Sequence, residues 1–254
     1  TGRRVVWFTI NDGNVSSAKI GRSIDVIPIN DAPVLGGMAN TSLSYTENDQ
    51  PMAVAPGITV FDADYESDAR LPNATVTIGG VDSLQQPGDM LACMACNVSS
   101  TITIEAYFND TVGVLEMRGN RSAVELPTQA EWQTALRSVV YWSSSDDPTG
   151  TQRASNRTVS FAISDAEVRS NVVTRTVVVT PVNDAPVLAN VEDGSLVYTE
   201  HDAATVVSAA ITVSDVDFIT DQGAAYVFTR DPATGQWTEQ ARLTAFDGAG
   251  GDEF

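Results

Sequence analysis

The chain has 254 residues, with 14 Lys and Arg against 33 Asp and Glu, a net charge of −19. That length holds one large domain or two ordinary ones. The charge excludes nucleic acid and anionic membrane as partners, because only one lysine (Lys19) and 13 arginines stand against the acids, and it suits divalent cations or basic partners instead.

In chain order, the first segment reads as a β-hairpin. Val6, Phe8 and Ile10 alternate, Asn11-Asp12-Gly13-Asn14 is a turn, and a second strand covers 20–27. Residues 1–29 are therefore expected to be the closing hairpin of a β-sandwich. The sequence Pro28-Ile29-Asn30-Asp31-Ala32-Pro33 then breaks the ladder, because proline has no amide donor, and reads as an extended linker. Residues 30–182 form the next unit, long for a seven-stranded sandwich. Its surplus lies in 79–100, which carries Cys93 and Cys96, and in 126–142. The latter is expected to be the chain's helix. Thr128 and Glu131 make a capping box after Pro127, and Trp132, Ala135, Leu136, Val139 and Val140 follow a helical stripe. Residues 143–150 form a polar loop. Strands at about 157–164 and 172–180 lead to the second linker, Asn183-Asp184-Ala185-Pro186. Residues 183–218 start a further domain. In 219–254, two strands flank Asp231-Pro232-Ala233-Thr234-Gly235-Gln236. The chain opens directly on a strand and stops inside a turn-like stretch, as a piece of a longer polypeptide would. It contains no apolar run long enough to span a membrane.

An internal repeat organises these elements. Residues 4–64 match residues 157–217 at a constant offset of 153 without a gap, with 28 identities in 61 positions. Such regularity means tandem domains. The shared positions include both Asn-Asp-Ala-Pro linkers, Tyr45-Thr46-Glu47 with Tyr198-Thr199-Glu200, and the pairs Asp62/Asp64 and Asp215/Asp217. The repeated acids are where chemistry could sit. Calcium takes six to eight oxygens, and an Asp-x-Asp loop facing a linker Asn-Asp supplies several. Topology puts Asn30, Asp31, Asp62, Asp64 and Asp165 at one end of the domain. Asn183, Asp184, Asp215 and Asp217 fall at the other.

At these residues the chain resembles cadherin-like repeat proteins, whose linkers read Asp-x-Asn-Asp-Asn-Ala-Pro and are joined by a Glu early in the domain and an Asp-x-Asp. The resemblance covers residues 1 to about 218. It implies tandem cadherin- or immunoglobulin-like β-sandwiches, calcium at the junctions, and a place for Glu47 in the lower cluster and Glu200 in the next. The first linker Asp and the second Asn are missing in both copies, which implies fewer ions or weaker binding. Residues 224–254 resemble the integrin-type FG-GAP propeller repeat through Ala225-Tyr226-Val227-Phe228, Trp237, Ala241-Arg242-Leu243 and Gly251-Asp252-Glu253-Phe254. They amount to less than one blade, as a β-hairpin. The overall expectation is an all-β chain with one short helix.

Seven of the 13 asparagines open N-x-Ser/Thr sequons: Asn14, Asn40, Asn73, Asn97, Asn109, Asn120 and Asn156. A chain this rich in Ser and Thr would carry roughly two by chance, so N-linked glycans and a secreted or cell-surface location are expected. Cys93-Met94-Ala95-Cys96 lacks further ligands for zinc and reads as a local disulfide. His201 reads as a surface residue. Asp146-Asp147 and Asp82/Asp89 could pair as acid and base, but nothing in the sequence fixes their separation, so the chain is not expected to be an enzyme. The expected role is structural or adhesive: a calcium-stiffened spacer or a cell-surface fibre, self-associating or binding other surface proteins and glycans. The alternatives are a carbohydrate-binding or accessory module of a large secreted enzyme, with Trp7, Trp142 and Trp237 as candidate contacts, and a receptor ectodomain.

Overall fold

The computed structural model describes residues 2–64, 72–79, 85–97, 104–119, 127–150, 155–165, 167–203, 205–217, 224–231 and 233–244. In chain order, β1 (Gly2–Phe8) and β2 (Ile20–Val26) open it. Then come β3 (Val34–Gly36), β4 (Leu43–Thr46), β5 (Met52–Ala53), β6 (Thr59–Phe61), β7 (Asn73–Ile78), β8 (Asp89–Cys93), β9 (Ile104–Asn109) and β10 (Val114–Gly119). After helix α1 (Gln129–Arg137) follow β11 (Val139–Ser143), β12 (Asn156–Ser164) and β13 (Val173–Thr180). The chain continues with β14 (Val187–Ala189), β15 (Thr212–Ser214), β16 (Ala224–Arg230) and β17 (Trp237–Thr244). The described chain is all-β apart from this one short helix.

The packed core lies within residues 30–182. A six-stranded sheet in the order β4-β13-β12-β7-β10-β9 supplies one layer and a three-stranded sheet β5-β11-β8 another. Strand alternation decides which side chains face inward. Val159, Phe161 and Ile163 of β12 are buried, as are Val177 and Val179 of β13, with Val76 and Ile78 of β7. Most pairings are antiparallel, but β4 runs parallel to β13, with Leu43 opposite Val177 and Tyr45 opposite Val179. Tyr45 then ties the two sheets together. Its ring meets Tyr141 of β11 edge to face at 5.2 Å, and its hydroxyl accepts the Ser143 N–H at 3.2 Å.

The helix is shorter than the sequence pattern predicts. Its start matches: Thr128 caps it, Glu131 N–H donates to the Thr128 hydroxyl and the Glu131 carboxylate accepts from Thr128 N–H. It buries Trp132, Ala135 and Leu136. It stops at Ser138, and Val139 and Val140 belong to β11 instead. The stripe continued across the boundary because both elements bury their apolar side. The β-branched and aromatic run Val139-Val140-Tyr141-Trp142 favours a strand, and two partners are present to pair with it. Those partners explain the unit's length. The two surplus segments face each other, β8 pairing antiparallel with β11 from Cys93–Val139 to Asp89–Ser143.

The repeat holds in three dimensions. Hairpin β1–β2 pairs Phe8 with Ile20, and β12–β13 pairs Phe161 with Val173, the same register at the same offset. Strands β3 and β6 pair Val34 with Phe61, and β14 and β15 pair Val187 with Ser214. Even backbone exceptions recur: Asn48 and His201 both have positive φ (66° and 75°), as do Gly37 and Asn190 (69° and 60°). At Gly37 a Cβ would stand 2.2 Å from the Gly57 carbonyl oxygen, so the first copy needs glycine for space as well as conformation.

One interaction was absent from the sequence pattern. Arg157 and Asp89, both fully buried, form an ion pair with Nε 2.6 Å from Oδ2. Tyr141 donates to the other Asp89 oxygen at 2.6 Å, and Arg157 also donates to the Pro148 carbonyl. Burial and the Asp89 charge hold the Tyr141 phenol well above its ordinary range. Removing one member leaves a buried charge uncompensated, which costs about 3–5 kcal/mol. Arg157→Met should therefore lower the urea-unfolding free energy of the chain by about that amount, whereas Arg118→Met, at an exposed pair with Glu116, should change it by less than about 1 kcal/mol.

Candidate functional site: two acidic junctions

The first junction is built where linker 30–33, the β6 exit and the β12–β13 turn meet. Asn30 donates through Nδ2 to Asp165 Oδ2 at 2.9 Å, and Asp31 N–H donates to Asp64 Oδ2 at 2.6 Å. Asp64 N–H in turn donates to Asp62 Oδ1 at 2.9 Å. Asp165 shapes its own turn, accepting from Glu167 and Val168 N–H at 2.8 and 2.7 Å. The five residues expected at this end are thus brought together. Asp62 is 5 % exposed, and its Oδ2 has no hydrogen-bond partner. Burial, with the charges of Asp165, Asp64 and Asp31, pushes its carboxyl up despite the Asp64 N–H. Burial also works against Asp165, but donors from Val168, Asn30 and Glu167 outweigh it and hold that carboxyl low. The donors around Asp165 thus favour its charged form, whereas burial disfavours that of Asp62.

The second junction follows from the β4–β13 pairing. Glu47 comes directly after β4, so the ladder delivers it to the end of β13. There its N–H donates to the Thr180 carbonyl at 2.9 Å and its Oε2 accepts from Val182 N–H at 2.7 Å. Glu47 is buried and its Oε1 is unpartnered. Burial pushes its carboxyl up, and the negative charges of Asp217, Asp184 and Asp146 add to that. Asp184 N–H donates to Asp217 Oδ2 at 2.5 Å and Asp217 N–H to Asp215 Oδ1 at 3.0 Å, the first junction's geometry at the same offset. Asn183 donates through Nδ2 to the Asp184 carbonyl at 2.7 Å. Asp146 was not expected here. It arrives on the 143–150 loop, which follows β11 and is held by Gly88 and Arg157.

Among the described residues no group of three or more His, Cys, Asp or Glu side chains is arranged to hold a metal ion. The donor chemistry nevertheless suits a hard cation: carboxylates, an amide, and one buried oxygen without a partner at each junction.

The other candidates are spread out. Asn14, Asn40, Asn73, Asn97 and Asn156 are exposed and Asn109 is half-buried; Asn120 lies outside the described residues. Asn97 has positive φ and its Nδ2 is engaged by the Ala106 carbonyl at 2.8 Å. Cys93 and Cys96 form a disulfide. Both Asp89 oxygens are taken by Tyr141 and Arg157, which makes Asp89 part of the frame; Asp82 lies outside the described residues. Asp147 accepts from Gly150 N–H at 2.8 Å within its own loop. The His201 side chain is exposed, 3.7 Å from Glu200. No helix of the described residues is long and apolar enough to cross a membrane.

No family model matches the chain and no curated protein matches it. Among solved structures, it is similar to domains 4–9 of the surface layer protein SbsC, at 10 % identity and a TM-score of 0.27, over 94 % of this chain and 31 % of that one. The chain therefore spans under a third of that solved chain's length.

The raised carboxyls set a pH dependence. A folded-state value above the unfolded one means the folded chain binds the proton more tightly. Stability then falls as pH rises above the ordinary values of 3.8 (Asp62) and 4.5 (Glu47), and the loss is complete above the raised ones. In chelator, Asp62→Asn/Glu47→Gln should flatten that decline. At neutral pH it should raise the melting temperature by about 2–4 °C, the shift that about 1 kcal/mol gives a domain of this size. An unchanged pH profile would contradict this assignment.

Proposed function

We infer that the chain is a segment of an extracellular structural glycoprotein, an array of β-sandwich repeats whose junctions are stiffened by calcium. The observation that carries this reading is the pair of buried, unpartnered carboxylate oxygens, Asp62 Oδ2 and Glu47 Oε1, at the two linker junctions of one domain. An oxygen removed from water without a donor costs about 1–3 kcal/mol, more when charged. A divalent cation would turn that cost into binding energy. Asp31, Asp62, Asp64 and Asp165 with the Asn30 amide would hold it at the first junction. Glu47, Asp184, Asp217 and Asp146 would do so at the second. A cation at either place would draw charge from both sides of a linker and restrict its bending.

The setting supports an oxidising, secretory origin. A disulfide joins Cys93 and Cys96, and five of the seven sequon asparagines are exposed. In this reading the array is a spacer or the shaft of a surface fibre, adhesive through its repeats. Residues 219–254, whose described part is the antiparallel pair β16–β17, begin propeller-type sequence.

The test is thermal unfolding and small-angle scattering in calcium and in chelator. At calcium 100 times its Kd, about 2.7 kcal/mol of stabilisation is expected, roughly 5–10 °C at this size, together with a narrower spread of domain orientations. Asp62→Asn should lose part of the gain. Identical melting and scattering in both conditions would overturn the calcium reading.

A further inference from the structure

The sequons of the packed domain are identical in type, but the fold treats them differently. Asn73 opens β7 and Asn156 opens β12, the neighbouring strands at the centre of the six-stranded sheet. Alternation decides where they point. Ala74 and Val76 are buried in one strand, Arg157 and Val159 in the other. Asn73 and Asn156 therefore stand on the outer face, each on the same side as the threonine of its own sequon, Thr75 or Thr158. Neither asparagine side chain hydrogen-bonds among the described residues. β7 and β12 are antiparallel, and Asn73 pairs with Ser164. The two sites thus lie at opposite ends of the face, 156 against 164 along β12, about 26 Å at about 3.3 Å per residue.

Asn97 is built into the frame. It follows the Cys93–Cys96 turn at the end of β8. That turn is pinned to the end of α1: Met94 N–H donates to the Ser138 carbonyl at 3.1 Å, and Ala95 N–H to the Ser138 hydroxyl at 3.0 Å. Asn97 itself has φ 58°, a conformation asparagine tolerates better than most residues. Its side chain reaches β9, the end strand of the six-stranded sheet. There Nδ2 donates to the Ala106 carbonyl at 2.8 Å, and Ala106 N–H donates to Oδ1 at 3.2 Å. The carboxamide thus mimics one rung of a ladder and ties the β8 turn in the three-stranded sheet to β9 in the six-stranded one.

This pairing and a glycan exclude each other for a geometric reason. Both contacts are made to one residue, so they use Oδ1 and the Nδ2 hydrogen on the same side as Oδ1. In N-glycosylation an Nδ2–C1 bond forms as the C1–O bond to a lipid-linked oligosaccharide diphosphate breaks. The diphosphate leaves, and Nδ2 gives up one hydrogen as a proton. The product is a secondary amide, which prefers the trans form, and that form places the sugar on the Oδ1 side. The sugar then stands where the Ala106 carbonyl stands, and the remaining Nδ2 hydrogen points away from β9.

We propose that Asn73 and Asn156 are glycan-bearing sites, marking both ends of the outer sheet face, and that Asn97, in spite of its sequon, is a structural amide closed to modification. The assignment rests on the secretory reading above.

The test routes the 254-residue chain through a eukaryotic secretory pathway. Enzymatic release of its glycans in heavy-oxygen water turns each modified asparagine into labelled aspartate. Peptide mass spectrometry is expected to find label at Asn73 and Asn156 and none at Asn97. On gels, Thr75→Ala and Thr158→Ala should each run faster by one glycan, and Ser99→Ala should run with the parent. In chain made without sugars, Asn97→Asp should lower the melting temperature by about 2–4 °C, whereas Asn73→Asp, which adds the same charge, should leave it unchanged. Aspartate tolerates the same backbone conformation and keeps the acceptor, so the loss reports the Nδ2 donor. Label at Asn97 beside the other two, or an Asn97→Asp chain that melts like the parent, overturns the assignment and leaves the secretory reading standing. No label at any sequon overturns both.

Discussion

The parallel pairing of β4 with β13 is the contact on which the rest of the domain depends. It joins the two ends of the unit, so its loop-closure entropy is high and must be offset by what it buries. It does so by carrying Tyr45 under the three-stranded sheet, against Tyr141 and Ser143. The same ladder, continued by one residue, fixes Glu47 at the second linker. Core closure and junction geometry are therefore one event: a chain that packs Tyr45 has also buried a carboxylate beside Asp184 and Asp217.

That coupling gives the acidic junctions their physical character. The net charge of −19 is spread widely, and most of it is solvated. Asp62 and Glu47 differ because the fold removes them from water and leaves one oxygen of each without a donor. Neighbouring carboxylates make matters worse at both places. By contrast, the Asp89 carboxylate is buried just as deeply but is matched by Arg157 and Tyr141. The domain thus buries acids in two ways: one completed within the chain, and one left electrostatically open at each linker. The proposed role of calcium follows from that contrast.

Much of this was legible in the sequence because it is local or repeated. Alternation at Val159, Phe161 and Ile163 specified a strand, Thr128 and Glu131 specified a helix start, and the constant offset marked the two hairpins as copies. The acid clusters were legible because turn positions recur in step with strands whose directions could be followed. What was not legible is non-local. The stripe through Val139 and Val140 fits a helix as well as a buried strand, and only β5 and β8 decide for the strand. The pairing of Arg157 with Asp89 crosses 68 residues with no motif to announce it. Asp146 adds its charge at Glu47 from a loop whose place depends on the non-local pairing of β8 with β11.

We propose that Asp62 and Glu47 belong to two cation sites, each completed when the domain closes. The most direct measurement is a calcium titration by calorimetry on the chain, Asp62→Asn and Glu47→Gln. Saturable binding at two separable sites is expected, with each variant losing a different one and keeping the other. Absence of saturable binding in the unsubstituted chain, or binding that neither substitution alters, would contradict it.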